Sequence, residues 1–255
     1  MYKQLNSVIA AAIIMLFGAC NNSAPNENTI VKEIYEWRIY TLNESGAEPL
    51  DNFFRETLIP AYNRQGVNAG AFKLYKATDS VRYLLLVYPD IASYLKVKHE
   101  IWNDKVFNAA AQSFYDLTAT NPAYSGFETL LCEAFDKIPK MKKPDNDRTL
   151  FELRHYKSPN EEANQRKIKM FNADEISIFD KVGINSVCYG EVLAGVRMPS
   201  IIYLTWYKDE PTRNAVWGEF VKHPDWLRIR DMKEYAHTAT DNKNRLLSPL
   251  PYSQF

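Results

Sequence analysis

Three cysteines and four histidines are little material for a metal centre or a disulfide framework. Cys132 and Cys188 stand at a spacing that fits no zinc pattern; in an exported chain the pair could bridge or stay as buried thiols. Charge of one sign is also missing. Thirty-one basic residues balance 31 acidic ones, and no basic stripe stands out, which argues against a nucleic-acid partner. There is no phosphate loop, dinucleotide fingerprint, Gly-x-Ser-x-Gly elbow or His-Glu-x-x-His zinc helix, so no cofactor is expected. The one long apolar run at the N-terminus, Val8 to Phe17, is too short to span a bilayer, which takes roughly 20 apolar residues.

That run instead reads as part of a targeting segment. Lys3 precedes it and Gly18-Ala19-Cys20 follows. Ordinary secretory cleavage after Ala19 would place bulky Phe17 where a small residue belongs. A lipoprotein signal resembles the pattern better, although Phe17 departs from the branched aliphatic usual there. Residues 1–20 are therefore expected to be a bacterial lipoprotein signal peptide with Cys20 as the lipidated residue, and 21–33 a tether rich in Asn, Ser, Pro and Glu. This implies the cell envelope, on the periplasmic side or the outer membrane, with the membrane reached through the lipid at Cys20.

The remainder, 46% hydrophobic and 13% aromatic over the whole chain, has ample material for a core, and it repeats itself. Tyr35-Glu36-Trp37-Arg38-Ile39-Tyr40 returns as Phe151-Glu152-Leu153-Arg154-His155-Tyr156. Candidate capping boxes follow, Ser45-x-x-Glu48 and Ser158-x-x-Glu161, with Pro159 at a first helical position. Helical spacing comes next: Leu50, Phe53, Phe54, Leu58 and Ala61, then Ile168, Phe171, Ile178, Phe179 and Val182. Pro60 is expected to kink or shorten the first helix, and both helices should stop at glycine, Gly66 and Gly183. Two strands are expected in each half, 71–76 and 83–88, then 187–193 and 201–207. Asp90 and Asp209 read as N-caps of a second helix. Lys98-His99-x-x-Trp102 is echoed by Lys222-His223-x-x-Trp226, and last strands lie near 127–132 and 245–247.

Each half thus reads β-α-β-β-α-β. The expected fold is α+β: two fused ferredoxin-like repeats, 34–135 and 150–255, joined by a charged linker at 136–149. The third strands are apolar almost throughout, as strands covered on both faces are. Packing one half's bare sheet face on the other would give an intrachain dimeric α+β barrel. Cys132 and Cys188 would then lie on adjoining strands with their sulfurs close together.

The second half resembles the NIPSNAP family. The resemblance rests on Phe151 to Tyr156, the helix 163–182 around Lys167-Ile168-Lys169-Met170-Phe171-Asn172, Gly190-Glu191, and Arg197-Met198-Pro199. It continues through Trp217 to Trp226 and the ending Leu246-Leu247 to Tyr252-Ser253. The first half is similar to a more divergent copy. The resemblance implies the dimeric α+β barrel superfamily and no particular reaction; relatives by fold include haem-degrading and quinol-forming monooxygenases, lactone isomerases and chlorite-dismutating haem enzymes.

The candidate site residues are Glu36, Arg38 and Tyr40 with Glu152, Arg154 and Tyr156, joined by Tyr203. Alternation puts each trio on one strand face. Trp37 and Leu153, opposite, suit the helix layer, so the trios are expected to face the barrel interior. His155 would then lie under a helix, and none of the four histidines is placed as a haem ligand. His99 and His223 read as packing and capping residues. The trios are either structural ion pairs or an Arg fork and Tyr hydroxyl that anchor a carboxylate, phenol or enolate. Three functions stay open: a lipoprotein that binds a small, partly apolar molecule in the barrel lumen; a cofactor-independent monooxygenase or isomerase; and a lipid-anchored interaction module with a filled barrel. Self-association is left open.

Overall fold

The computed structural model describes residues 30–255. The expected signal peptide, Cys20 and most of the tether lie outside the described residues.

The chain runs β1 (Ile34–Leu42), α1 (Ala47–Phe53), α2 (Ile59–Arg64), β2 (Asn68–Leu74), β3 (Val81–Tyr88), α3 (Ile91–Glu100), α4 (Lys105–Thr118) and β4 (Tyr124–Ala134). The second half repeats this with β5 (Leu150–Lys157), α5 (Glu161–Met170), α6 (Ile176–Val182), β6 (Asn185–Ala194), β7 (Ser200–Tyr207), α7 (Glu210–Phe220), α8 (Pro224–Arg230) and β8 (Asp241–Pro249). The eight strands close into an antiparallel barrel in the order β1-β3-β2-β8-β5-β7-β6-β4. Within each half the first strand pairs with both the third and the fourth, as the ferredoxin-like unit requires. The halves meet along β2–β8 and β4–β6.

Local chemistry explains most element ends. Asp90 accepts from Ser93 N and Asp209 from Thr212 N, the expected caps. Gly183 ends α6 in the left-handed conformation, φ +83°, which a Cβ would disfavour. The capping boxes do not form. Ser45 is itself left-handed, Gly46 precedes α1, and no side chain caps that helix. In the second half Asn160 caps α5 by accepting from Ala163 N, while the Ser158 hydroxyl turns inward to Thr238 O at 2.7 Å. The expected kink at Pro60 takes another form. A π turn, Phe54–Leu58, joins α1 to α2, and Pro60 falls in the first turn beyond it. The same turn recurs without proline at Phe171–Glu175, between α5 and α6.

The barrel lumen is filled by Tyr35, Trp37, Phe72, Leu85, Leu130, Phe151, Leu153, Leu204 and Trp206, among others. Trp37 lies in register with Leu85 and Leu130, and Phe72 meets Phe151 edge-on across the β2–β8 seam at 4.9 Å. Full burial of one such side chain contributes about 1.5–3 kcal/mol. β2 and β8 share only three register pairs. The C-terminal tail extends the seam: Gln254 Oε1 accepts from Ala69 N, Ser253 Oγ accepts from Ala71 N, and Phe255 tucks against Gly70, where a Cβ would lie 2.4 Å from its ring.

This packing reverses the expected orientation of the trios. Trp37 and Leu153 face the lumen, whereas Glu36, Arg38 and Tyr40, and Glu152, Arg154 and Tyr156, face the helix layer. The reason is volume and partners: the lumen takes apolar rings, and the helices bring the hydroxyls and cations that satisfy the buried charges. His155 accordingly faces the interior end of the barrel, not a helix, with Nε2 3.0 Å from Ser200 Oγ. His223 caps α8 by accepting from Asp225 N, and His99 is exposed on α3. Cys132 and Cys188 sit on the paired strands β4 and β6 in the interior cluster as free thiols. Burial, with a contribution from Cys188, pushes the Cys132 thiol well up.

Candidate functional site

The first-half trio begins with Glu36, fully buried on β1. Arg38 Nε and Nη2 donate to its two oxygens at 2.8 and 3.0 Å, Tyr88 OH donates at 2.7 Å, and Lys98 Nζ reaches it at 3.4 Å. Burial raises the pKa of this carboxyl, but Arg38, Lys98 and the Tyr88 hydrogen bond outweigh it and hold Glu36 below the usual range. Arg38 Nη2 also donates to Tyr62 OH at 2.7 Å. Tyr62 lies on α2, just beyond the π turn Phe54–Leu58.

A cavity of about 210 Å³ opens over this arginine, between the sheet and the helices of the first half. Arg38, Lys98, Tyr40 and Tyr62 are among its polar lining, and Leu58, Ile101 and a set of aromatic rings that includes Phe53, Trp102 and Phe127 line the rest. Tyr40 stacks on Phe127 at 4.7 Å; burial pushes its hydroxyl pKa up to about 12, so it is a neutral donor. None of the lining residues is Asp, Glu or His. A larger groove of about 330 Å³ lies outside, between α1 and α4, with Glu56 as its single charged group.

The second-half trio has different company. Glu152, also fully buried, accepts from Arg154 Nη1 at 3.0 Å, from Arg213 Nη2 and Nε at 2.7 and 2.9 Å, and from Trp217 Nε1 at 2.9 Å. Arg154 Nε donates to Tyr156 OH, which accepts from Tyr203 OH at 3.0 Å. The Trp217 ring covers Arg154, its centroid 4.0 Å from the guanidinium carbon. Beside them Lys167 and Glu175 make a buried ion pair at 3.2 Å; burial still leaves the Glu175 carboxyl raised.

Seven candidates from the sequence therefore fall into two clusters on the outer face of the barrel, Glu36, Arg38 and Tyr40 in one, and Glu152, Arg154, Tyr156 and Tyr203 in the other. The clusters do not share a lumen. Sequence reasoning missed Tyr62, Tyr88 and Lys98 in the first and Arg213, Trp217, Lys167 and Glu175 in the second. The repeat held a signal for two of them: Lys98 and Trp217 occupy the same place relative to the caps Asp90 and Asp209.

No group of three or more metal-ligating side chains occurs among the described residues. His155 is a poor haem ligand, because its Nε2 is engaged by Ser200 and the space beside it, about 180 Å³, is far smaller than a porphyrin.

Comparison with known proteins supports this architecture. Residues 151–254 match the family model for NIPSNAP. No curated protein matches the chain in sequence. A candidate monooxygenase from Fusobacterium nucleatum aligns over 87% of this chain and 94% of its own, with 11% identity and a TM-score of 0.56. A mutant chlorite dismutase from Candidatus Nitrospira defluvii aligns over 88% and 93%, with 6% identity and a TM-score of 0.51. A NIPSNAP-like domain protein from Burkholderia xenovorans covers 42% of this chain and 90% of its own at 19% identity, TM-score 0.38. The chain is an α+β protein with a closed dimeric α+β barrel fold, and its second half, residues 151–254, is similar to the NIPSNAP family.

Proposed function

We propose that the protein is an exported, lipid-anchored NIPSNAP-like binding protein whose first half holds a small aromatic anion against Arg38. The observation that carries this reading is the cavity over Arg38, in which a guanidinium and a lysine stand within a wall of aromatic rings. Such a wall takes an apolar ring, and the two cations take a carboxylate or phenolate. The Tyr62 and Tyr40 hydroxyls can add direction.

Binding is favoured over catalysis by the state of Glu36. A proton acceptor needs a free lone pair within reach of substrate. Glu36 is ionised, but Arg38, Tyr88 and Lys98 occupy both its oxygens, and it is not among the residues lining the cavity. The second-half cluster supports a structural role, because its charges satisfy one another.

Native mass spectrometry of the protein purified from its host, with an absorption spectrum, tests the reading. A stoichiometric bound mass with ultraviolet absorption of its own is the expected result; a clean apo mass, with no gain in melting temperature across a panel of aromatic acids, would leave a lipid-anchored interaction module as the better account. For the anchor, supported by the Gly18-Ala19-Cys20 pattern, metabolic labelling with a fatty acid should mark the wild type and not Cys20→Ala. Among the described residues no helix is long and apolar enough to cross a membrane.

A further inference from the structure

We propose that one mouth of the barrel is a second binding site, for a small amphiphile with an anionic head and an apolar tail. It is independent of the Arg38 cavity, because the two lie on opposite faces of β1: Arg38 points to the helices, whereas Ile39 lines the mouth. The lumen is filled along most of its length, and the space left at this end is a cavity of about 180 Å³.

Its composition is divided. Leu130, Leu153 and Ile202, all buried, form an apolar floor continuous with the interior cluster. Arg197, Lys243 and Arg245 supply three cations at the rim, against a single lining carboxylate, Glu128. The β5–β8 register sets Lys243 beside His155 and Arg245 beside Leu153, so two of the cations stand on one strand directly above the floor. Neither makes an ion pair among the described residues. Arg197 comes from the turn between β6 and β7 in a left-handed conformation, φ +63°, unusual for a residue with a side chain. Two hydrogen bonds to Asp241, at 2.6 and 2.7 Å, hold it there. Its Nε is buried and has no hydrogen-bond partner among the described residues. His155 is pushed down to about 4 by burial and by Arg197 and Lys243, so at neutral pH it adds a neutral hydrogen-bonding group and no charge.

Octanoate is a suitable probe: a carboxylate on a chain short enough for the cavity. Titration of the purified protein, followed by calorimetry and by methyl shifts, should give saturable one-to-one binding that moves the Leu153 and Ile202 methyls. Lys243→Gln with Arg245→Gln, both exposed positions that should leave the fold intact, should weaken it at least tenfold, about 1.4 kcal/mol. Octan-1-ol should bind at least tenfold more weakly than octanoate. Failure to saturate, absence of shifts at the Leu153 and Ile202 methyls, or undiminished binding by the double variant would each overturn the proposal. None of these outcomes bears on whether the Arg38 cavity binds an aromatic acid.

Discussion

Lys98 and Trp217 each stand eight residues past an aspartate cap, Asp90 and Asp209, and each reaches the buried glutamate of its own half, so the helix starts align them, whereas the Lys-His-x-x-Trp echo sets Lys98 against Lys222. Trp217 also lays its ring over Arg154, 4.0 Å from the guanidinium carbon. Lys98, slimmer and more polar, instead lines a cavity over Arg38. The indole over Arg154, together with Arg213 and the Lys167–Glu175 pair, closes the second cluster, whereas the space over Arg38 stays open.

Lys98→Trp should close the space over Arg38 as Trp217 covers Arg154. Lys98 is half exposed and only 3.4 Å from Glu36, so its loss should cost under about 1 kcal/mol of stability. The indole should fill space over Arg38 and reduce aromatic-acid binding at least tenfold. Urea midpoints and calorimetry on the same samples separate the two effects.

Glu152→Gln and Arg213→Gln should differ in cost. Glu152 neutralises two guanidiniums from a fully buried position, and removing its charge should destabilise the protein by about 3–5 kcal/mol. Arg213 is partly exposed and leaves Glu152 still paired with Arg154, so its loss should cost about 1–2 kcal/mol. Urea denaturation at neutral pH reads both, with equal m-values as the check that the unfolded states compare.

Stability should fall as pH drops from about 6.5 toward 4. His155 has a folded-state pKa pushed down to about 4 by burial, against roughly 6.5 in the unfolded chain. In that window the unfolded state binds the extra proton, so acid favours unfolding. The full shift corresponds to roughly 3 kcal/mol. His155→Gln should flatten this part of the profile. Glu36, whose pKa lies below the usual carboxylate range, contributes stability that is present above its unfolded value and lost as pH falls through its folded one.

Gly70→Ala should be destabilising, by about 1–3 kcal/mol, because the new methyl would overlap the Phe255 ring inside the barrel. Phe255→Leu should relieve part of that cost. A double-mutant cycle in thermal melts should therefore show coupling, whereas independent sites would add.

Much of this architecture was legible in the chain. The returning aromatic-Glu-apolar-Arg pattern, the aspartate caps and the glycine stops are local signals, and they give β-α-β-β-α-β twice. The facing of the trios was not legible, because alternation along a strand defines two faces without saying which is inside. In a closed barrel both are covered. The deciding partners lie far along the chain: Tyr62 and Lys98 are 24 and 62 residues from the side chains they meet, and Arg213 is 61 from Glu152. The π turns were hidden for a different reason: one extra residue in a turn slips the apolar spacing without erasing it, so Phe54 and Phe171 still read as helical core. The Ser45 and Ser158 capping boxes failed because Gly46 and Asn160 stand nearer the helix starts.

The most direct measurement is a calorimetric titration of 3-phenylpropionate into the wild type and Lys98→Trp, with both shown folded by thermal melting. Saturable one-to-one binding to the wild type, weakened at least tenfold in the variant, is the predicted result. No saturable binding to the wild type, or equal binding by both proteins, would contradict a ligand site over Arg38.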